Sequence, residues 1–204
     1  MTRVRHLLIV LLAGSIWGIS EAVGGAYLYA QEVAYSSILL SVAGLAILSL
    51  ARFLVPVRGS SLLLVAVALG YRWLNVGFYG CHLGAMLCLG GVFEIMASGI
   101  GVERMKARAP QALLGAGTGI LGFSIFALLM AFGVRDPFWA GMPTKVMGHV
   151  LSGAAVGAVG VVLVPAMYRL SRSVSERIQS VVLARPLASV GVCAALLLAF
   201  WFGV

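Results

Sequence analysis

Charge is the property this sequence has least of, and acid is scarcer than base. Only 10% of its 204 residues are charged, six Asp and Glu against 14 Lys and Arg. Soluble domains carry about a quarter, so a soluble globular domain is excluded. Cysteine is almost missing: Cys81, Cys88 and Cys193 form an odd set inside apolar runs, which excludes a secreted disulfide framework. There is no C-x-x-C and no H-x-x-x-H, so the zinc spacings are absent. The phosphate-binding loop G-x-x-x-x-G-K-[ST] is absent as well, so the sequence brings no ATPase site of its own.

What fills the chain is apolar. Hydrophobic residues make up 62% and Gly supplies 26 positions, with a mean hydropathy of +1.09. That composition predicts an all-α integral membrane protein whose helices pack through small residues. Seven runs reach spanning length, at residues 7–30, 36–57, 61–80, 81–101, 111–133, 145–168 and 183–204. Arg3 and Arg5 before a Leu-rich run suit a signal peptide, but the apolar stretch outlasts a signal core and is read as a span. The expected organisation is a six-helix core over 1–168, then a polar cytoplasmic linker and an additional C-terminal helix over 169–204. No internal repeat of the inverted-transporter kind is visible.

The basic residues orient this bundle. Arg3, Arg5, Arg52, Arg58, Arg104, Lys106, Arg108, Arg169, Arg172, Arg177 and Arg185 fall at alternate connections on one side, eleven of the fourteen; Arg72, Arg135 and Lys145 do not. The positive-inside rule then places the N-terminus in the cytoplasm and the C-terminus outside, in a bacterial-type plasma membrane. The net charge of +8 is thereby explained without nucleic acid.

Polar residues inside the spans mark the expected site. A carboxylate within a membrane helix is costly, and Glu21 sits mid-span in the first run. At about 100° per residue, Gly14, Gly18, Glu21 and Gly25 share one stripe, which lets a neighbouring helix approach closely. Depth follows from the helical rise: Glu21 lies roughly 13 Å and Arg72 roughly 12 Å below the outer surface. Their signs and levels match, so a pair is expected. Asn75 and Tyr79 continue the Arg72 stripe toward the outer mouth, where His82 and His149 also lie. Trp17, Trp73 and Trp139 are the expected stacking partners for a solute ring. Glu94 lies roughly 20 Å below the outer end of its helix, nearer the cytoplasm, where protonation or a pair with a cytoplasmic-side Arg is expected. Each residue also has a structural reading: an interhelical ion pair for Glu21 and Arg72, backbone hydrogen bonds for the histidines, packing for Cys81 and Cys88.

The run Gly14-x-x-x-Gly18-x-x-x-Ala22 on the first helix, within a helical bundle over Leu7 to Tyr168, resembles the substrate-binding S components of energy-coupling-factor vitamin transporters. The resemblance implies an outward pocket that captures a small solute, and separate ATPase and coupling subunits at the cytoplasmic face. The sequence departs from that family in two ways. Its small-residue stripe shares a face with Glu21, and it has a seventh apolar run.

The expected function is therefore a membrane-embedded binding or uptake protein for a small anionic or aromatic solute, with Glu21, Arg72, Asn75, Tyr79, His82, His149 and the three tryptophans at the site. A haem or redox subunit using His82 and His149 as axial ligands is one alternative. A structural subunit of a larger membrane complex is another. Neither a metal site nor a catalytic set is expected; Ser98 and His149 lie at opposite ends of their helices and cannot form a dyad. The orientation is testable on a cysteine-free background: Glu32→Cys should label in intact cells, and Glu103→Cys only after permeabilisation. The reverse pattern would invert the topology.

Overall fold

The computed structural model describes residues 2–73, 80–134, 139 and 141–184, with side chains of 2, 72, 80 and 176–184 excepted. The described chain is helical, with no strand among the described residues. Helix α1 (Thr2–Ile19) passes through a π-helical turn (Ser20–Gly24) into α2 (Gly25–Ala30). Then come α3 (Ser36–Leu54), α4 (Ser60–Trp73), α5 (Gly80–Ile100), a 3₁₀ turn (Arg104–Lys106), α6 (Arg108–Leu128) with a second π turn (Leu129–Gly133), and α7 (Pro143–Ala184). Among the described residues, five helical stretches are long and apolar enough to cross a membrane: Arg3–Ala30, Ser36–Leu54, Cys81–Ile100, Arg108–Gly133 and Pro143–Ser175. They suit an integral multi-pass membrane protein. The expected third span is the shorter apolar α4, and the expected seventh, 183–204, lies almost wholly outside the described residues.

Glycine decides which helices touch. A Cβ on Gly14 would stand 2.7 Å from that of Val67, and one on Gly18 2.6 Å from that of Tyr71, so α1 and α4 run parallel in close contact. Between α6 and α7 the approach is backbone to backbone. A Cβ on Gly115 would lie 2.1 Å from the Gly160 carbonyl oxygen, and one on Gly119 2.4 Å from the Gly157 nitrogen. Pairing 115 with 160 and 119 with 157 makes these helices antiparallel. In lipid, where burying apolar surface gives little net gain, this van der Waals contact is the main adhesive. The core that results runs through Trp17, Leu45, Leu48, Leu64, Phe93, Leu114 and Val156.

Two features refine the expected organisation. First, the polar linker beyond Tyr168 is itself helical: α7 continues from Pro143 to Ala184, through Pro165. Its 42 residues make about 63 Å of helix, roughly twice a hydrocarbon core. The segment after Arg169 is polar but made largely of residues that tolerate a helix, and nothing in it breaks one. Second, Gly25 leaves the stripe of Gly14 and Gly18. The wide turn at Ser20–Gly24 shifts the phase, and Gly24 and Gly25 approach Leu40 of α3 instead of α4.

Gly115→Ala should lower stability by about 1–3 kcal/mol through overpacking. Gly148→Ala, where a Cβ meets nothing within 4 Å, should be neutral or stabilising by under about 1 kcal/mol. Thermal unfolding in detergent would separate them, and equal effects would contradict the glycine seam.

Candidate functional site

At the end of the bundle away from Arg58, a cleft is lined by Trp17 and Glu21 from the first span, Ser37, Leu40 and Ser41 from α3, and His82, Ala85, Met86 and Leu89 from α5. Glu21 occupies the π turn, a distortion that often marks functional sites because it presents side chains an α-helix would bury elsewhere. Its carboxylate is 7% exposed and accepts a hydrogen bond of 3.1 Å from the indole N–H of Trp17, one turn earlier. Trp17 is fully buried, its ring against Gly44 of α3, where a Cβ would come within 2.7 Å of the indole nitrogen. Trp17 thus holds the acid in place while its ring forms part of the cleft lining. His82, Met86 and Leu89 reach the cleft together because they recur at helical spacing on one face of α5. The cleft is partly open and offers about 60 Å³, room for roughly two waters.

Three expected site residues therefore meet: Trp17, Glu21 and His82. The backbone of α4 follows α1 in register, with Tyr71 against Gly18, and the Tyr71 hydroxyl donates to Ser15 Oγ at 2.9 Å. The side chain of Arg72, and Asn75 and Tyr79 entirely, lie outside the described residues, so the expected Glu21–Arg72 pair does too. Trp73 is 68% exposed on the bundle surface. Ser37 and Ser41 are lining residues that sequence reasoning passed over. Their i, i+4 spacing at the start of a span was the available signal.

His149 and Trp139 belong to a different cluster. The imidazole stacks on Phe123 at 4.8 Å between centroids and lies 5.2 Å from the rings of both Phe126 and Trp139. Trp139 is buried, edge-on to Phe126, with the Lys145 ammonium 4.9 Å from its ring centre. Cys81 and Cys88 pack against this cluster. His82 and His149 thus serve separate surroundings, one the cleft and the other an aromatic box. No cluster of three or more potential metal ligands occurs among the described residues.

Glu94 makes an extensively bonded site among the described residues. Its carboxylate accepts from the backbone N–H groups of Gly59 (2.8 Å) and Ser61 (3.2 Å) and from Ser98 Oγ (2.5 Å), and pairs with Arg52 at 3.3 Å. Arg52 also donates to the Val57 carbonyl, Ser60 Oγ (3.3 Å) and Ser98 Oγ (3.2 Å). Both charged side chains are about 93% buried. The partner is a cationic residue at the basic end, as expected for Glu94, but it comes from within α3 and not from a loop. The pair pins the 55–59 connection between α3 and α4 against α5. With every oxygen occupied by a fixed donor, it is built to hold structure, not to exchange a ligand.

No protein-family model matches the chain, no curated protein matches it, and no solved structure matches its fold. Arg52→Met should destabilise by about 3–5 kcal/mol by leaving a buried carboxylate without its counter-charge. Adding Glu94→Gln should recover part of that loss. If the two effects simply add in thermal unfolding, the pair is not coupled.

Proposed function

We propose that the chain is a membrane-embedded binding protein that takes up a small solute in the cleft of Glu21, His82, Ser37 and Ser41. The observation that carries the reading is the convergence there of an acid, an imidazole and two hydroxyls from three helices, around a π turn. Ligand sites are characteristically mostly apolar clefts with a few convergent polar groups, and Leu40, Ala85, Met86 and Leu89 supply the apolar part. Space of about 60 Å³ suits a solute smaller than a ring-bearing vitamin, or requires the helices to part for a larger one. The lining offers Glu21 as acceptor and Ser37, Ser41 and His82 as either donor or acceptor, so a solute with amine, amide or hydroxyl groups is matched. The preference for an anionic solute rests on the side chain of Arg72 with Asn75 and Tyr79, which lie outside the described residues, and the preference for an aromatic one rests on Trp17, Trp73 and Trp139, of which Trp17 lines the cleft.

With the basic end in the cytoplasm, as the positive-inside rule favours, the cleft opens outward. Concentrative uptake then requires a separate ATPase or coupling subunit, since the sequence has no phosphate-binding loop. The Gly14–Gly18 seam is already occupied by α4, so such a subunit docks elsewhere on the bundle.

A thermal-stability screen in detergent against small amines, amino acids, short carboxylates and vitamins tests this. A solute at a hundredfold its Kd should stabilise by about 2.7 kcal/mol. Glu21→Gln and His82→Ala should each lose most of that shift, and Glu103→Gln, on an exposed loop, should keep it. A panel without any stabilising solute, or a shift that survives both cleft variants, would sink the reading.

A further inference from the structure

The opposite end of the bundle carries a second kind of cavity. A groove of about 440 Å³ runs between α1 and the start of α4, lined by Arg3, His6, Leu7, Val10, Val55, Val57, Arg58, Gly59, Ser60 and Leu63. Its chemistry is graded. Arg3, His6 and Arg58 stand at one end, and Leu7, Val10 and Leu63 carry the groove along the apolar faces of the two helices. Leu7 is 46% and Leu63 44% exposed, so both are open to the surroundings of the bundle. No acid lines the groove among the described residues. The Glu94 carboxylate, which reaches the backbone of the lining residue Gly59, is buried and engaged with Ser61 and Arg52.

We propose that this groove binds an anionic phospholipid of the surrounding bilayer, its phosphate held between Arg3 and Arg58 and an acyl chain lying along Leu7, Val10 and Leu63. Positive-inside charge alone accounts for arginines at this end. It does not require an aliphatic channel beneath them. A soluble anion would use the arginines and gain nothing from the leucines, whereas a two-part ligand uses both. Basic pockets between membrane helices at this depth suit phosphate head groups.

The presentation of Arg58 strengthens the fit. Its loop is short and pinned on both flanks: the Val57 carbonyl accepts from Arg52, and the Gly59 and Ser61 N–H groups donate to Glu94. Gly59 holds a φ of +83°, which a side chain would strain, and that turn is what lets the chain enter α4 directly after Arg58. A guanidinium on a fixed loop loses less freedom on binding than one on a mobile tail. Arginine also offers its fork of donors to phosphate oxygens bidentately.

The test uses the full chain in neutral detergent micelles doped with phosphatidylglycerol or phosphatidylcholine, read by native mass spectrometry. The wild type should retain phosphatidylglycerol in preference to phosphatidylcholine. Arg3→Ala with Arg58→Ala should weaken that retention about thirtyfold, from the usual contribution of two basic residues at an anionic lipid surface. Arg104→Ala with Arg172→Ala removes the same charge from exposed positions outside the groove and should leave retention unchanged. Equal loss in both double variants would show diffuse charge attraction and overturn the proposal. So would equal retention of the two lipids by the wild type. Displacement of the bound lipid by millimolar glycerol phosphate would also overturn it, by showing a phosphate site with no use for the acyl chain. Both double variants keep every buried contact described above, so their unfolding temperatures should match the wild type and make the comparison fair.

Discussion

The Glu94 carboxylate is the contact on which the basic end of this bundle depends. It gathers a guanidinium from α3, two backbone N–H groups around the start of α4 and a hydroxyl from its own helix. Each of those donors would be expensive to leave unpaired at that depth. Satisfying them together fixes where α4 begins, and α4 in turn is the surface against which Gly14 and Gly18 seat the first span. A displacement of this carboxylate would therefore be felt along the α1–α4 seam as well as in the loop. The interaction is local in space but spans 42 positions in sequence between its two charged members.

A division of labour follows between the two ends. At the basic end, charged groups are buried and saturated, and what stays exposed is a groove of aliphatic and cationic side chains. At the other end, polar groups line a cleft with space between them, and the helix carrying the acid is deformed into a π turn. One end is stabilised by satisfied hydrogen bonds; the other leaves polar side chains around open space.

Much of the architecture was legible from residue pattern. The apolar runs gave the first, second, fourth, fifth and sixth spans, because a bilayer imposes a length that few other structures need. Glu21 as an interior residue, the close approach of its glycines to a neighbour and the gathering of Arg3 with Arg58 and of Arg108 with Arg169 were readable too. The π turn was not, since nothing in Ser20–Gly24 distinguishes hydrogen bonds spanning five residues from those spanning four, and an ideal 100° projection misplaced Gly25. In sequence Arg52 reads as a connection charge, because it sits near the end of its apolar run, where the positive-inside rule already explains it. The roles of the tryptophans depended on tertiary packing: Trp17 lies beneath Gly44, Trp139 against Phe126, and Trp73 on the surface. The i, i+4 spacing of Trp17 and Glu21 did contain their hydrogen bond.

The π turn also splits the first span into two independently addressed surfaces. Below it, α1 is cut to the shape of α4; above it, the glycines of the turn and of α2 are cut to the shape of α3. A single rod thus serves two neighbours, and the angle between the two faces is set by one surplus residue in its backbone. Winding Ser20–Gly24 as ordinary α-helix at the same length would rotate everything beyond it by roughly a quarter-turn, whereas deleting one of its residues would remove the surplus and leave the far half nearly in phase. The segment is, in effect, the phase setting of the bundle, a property written in the number of its residues and not in their identities.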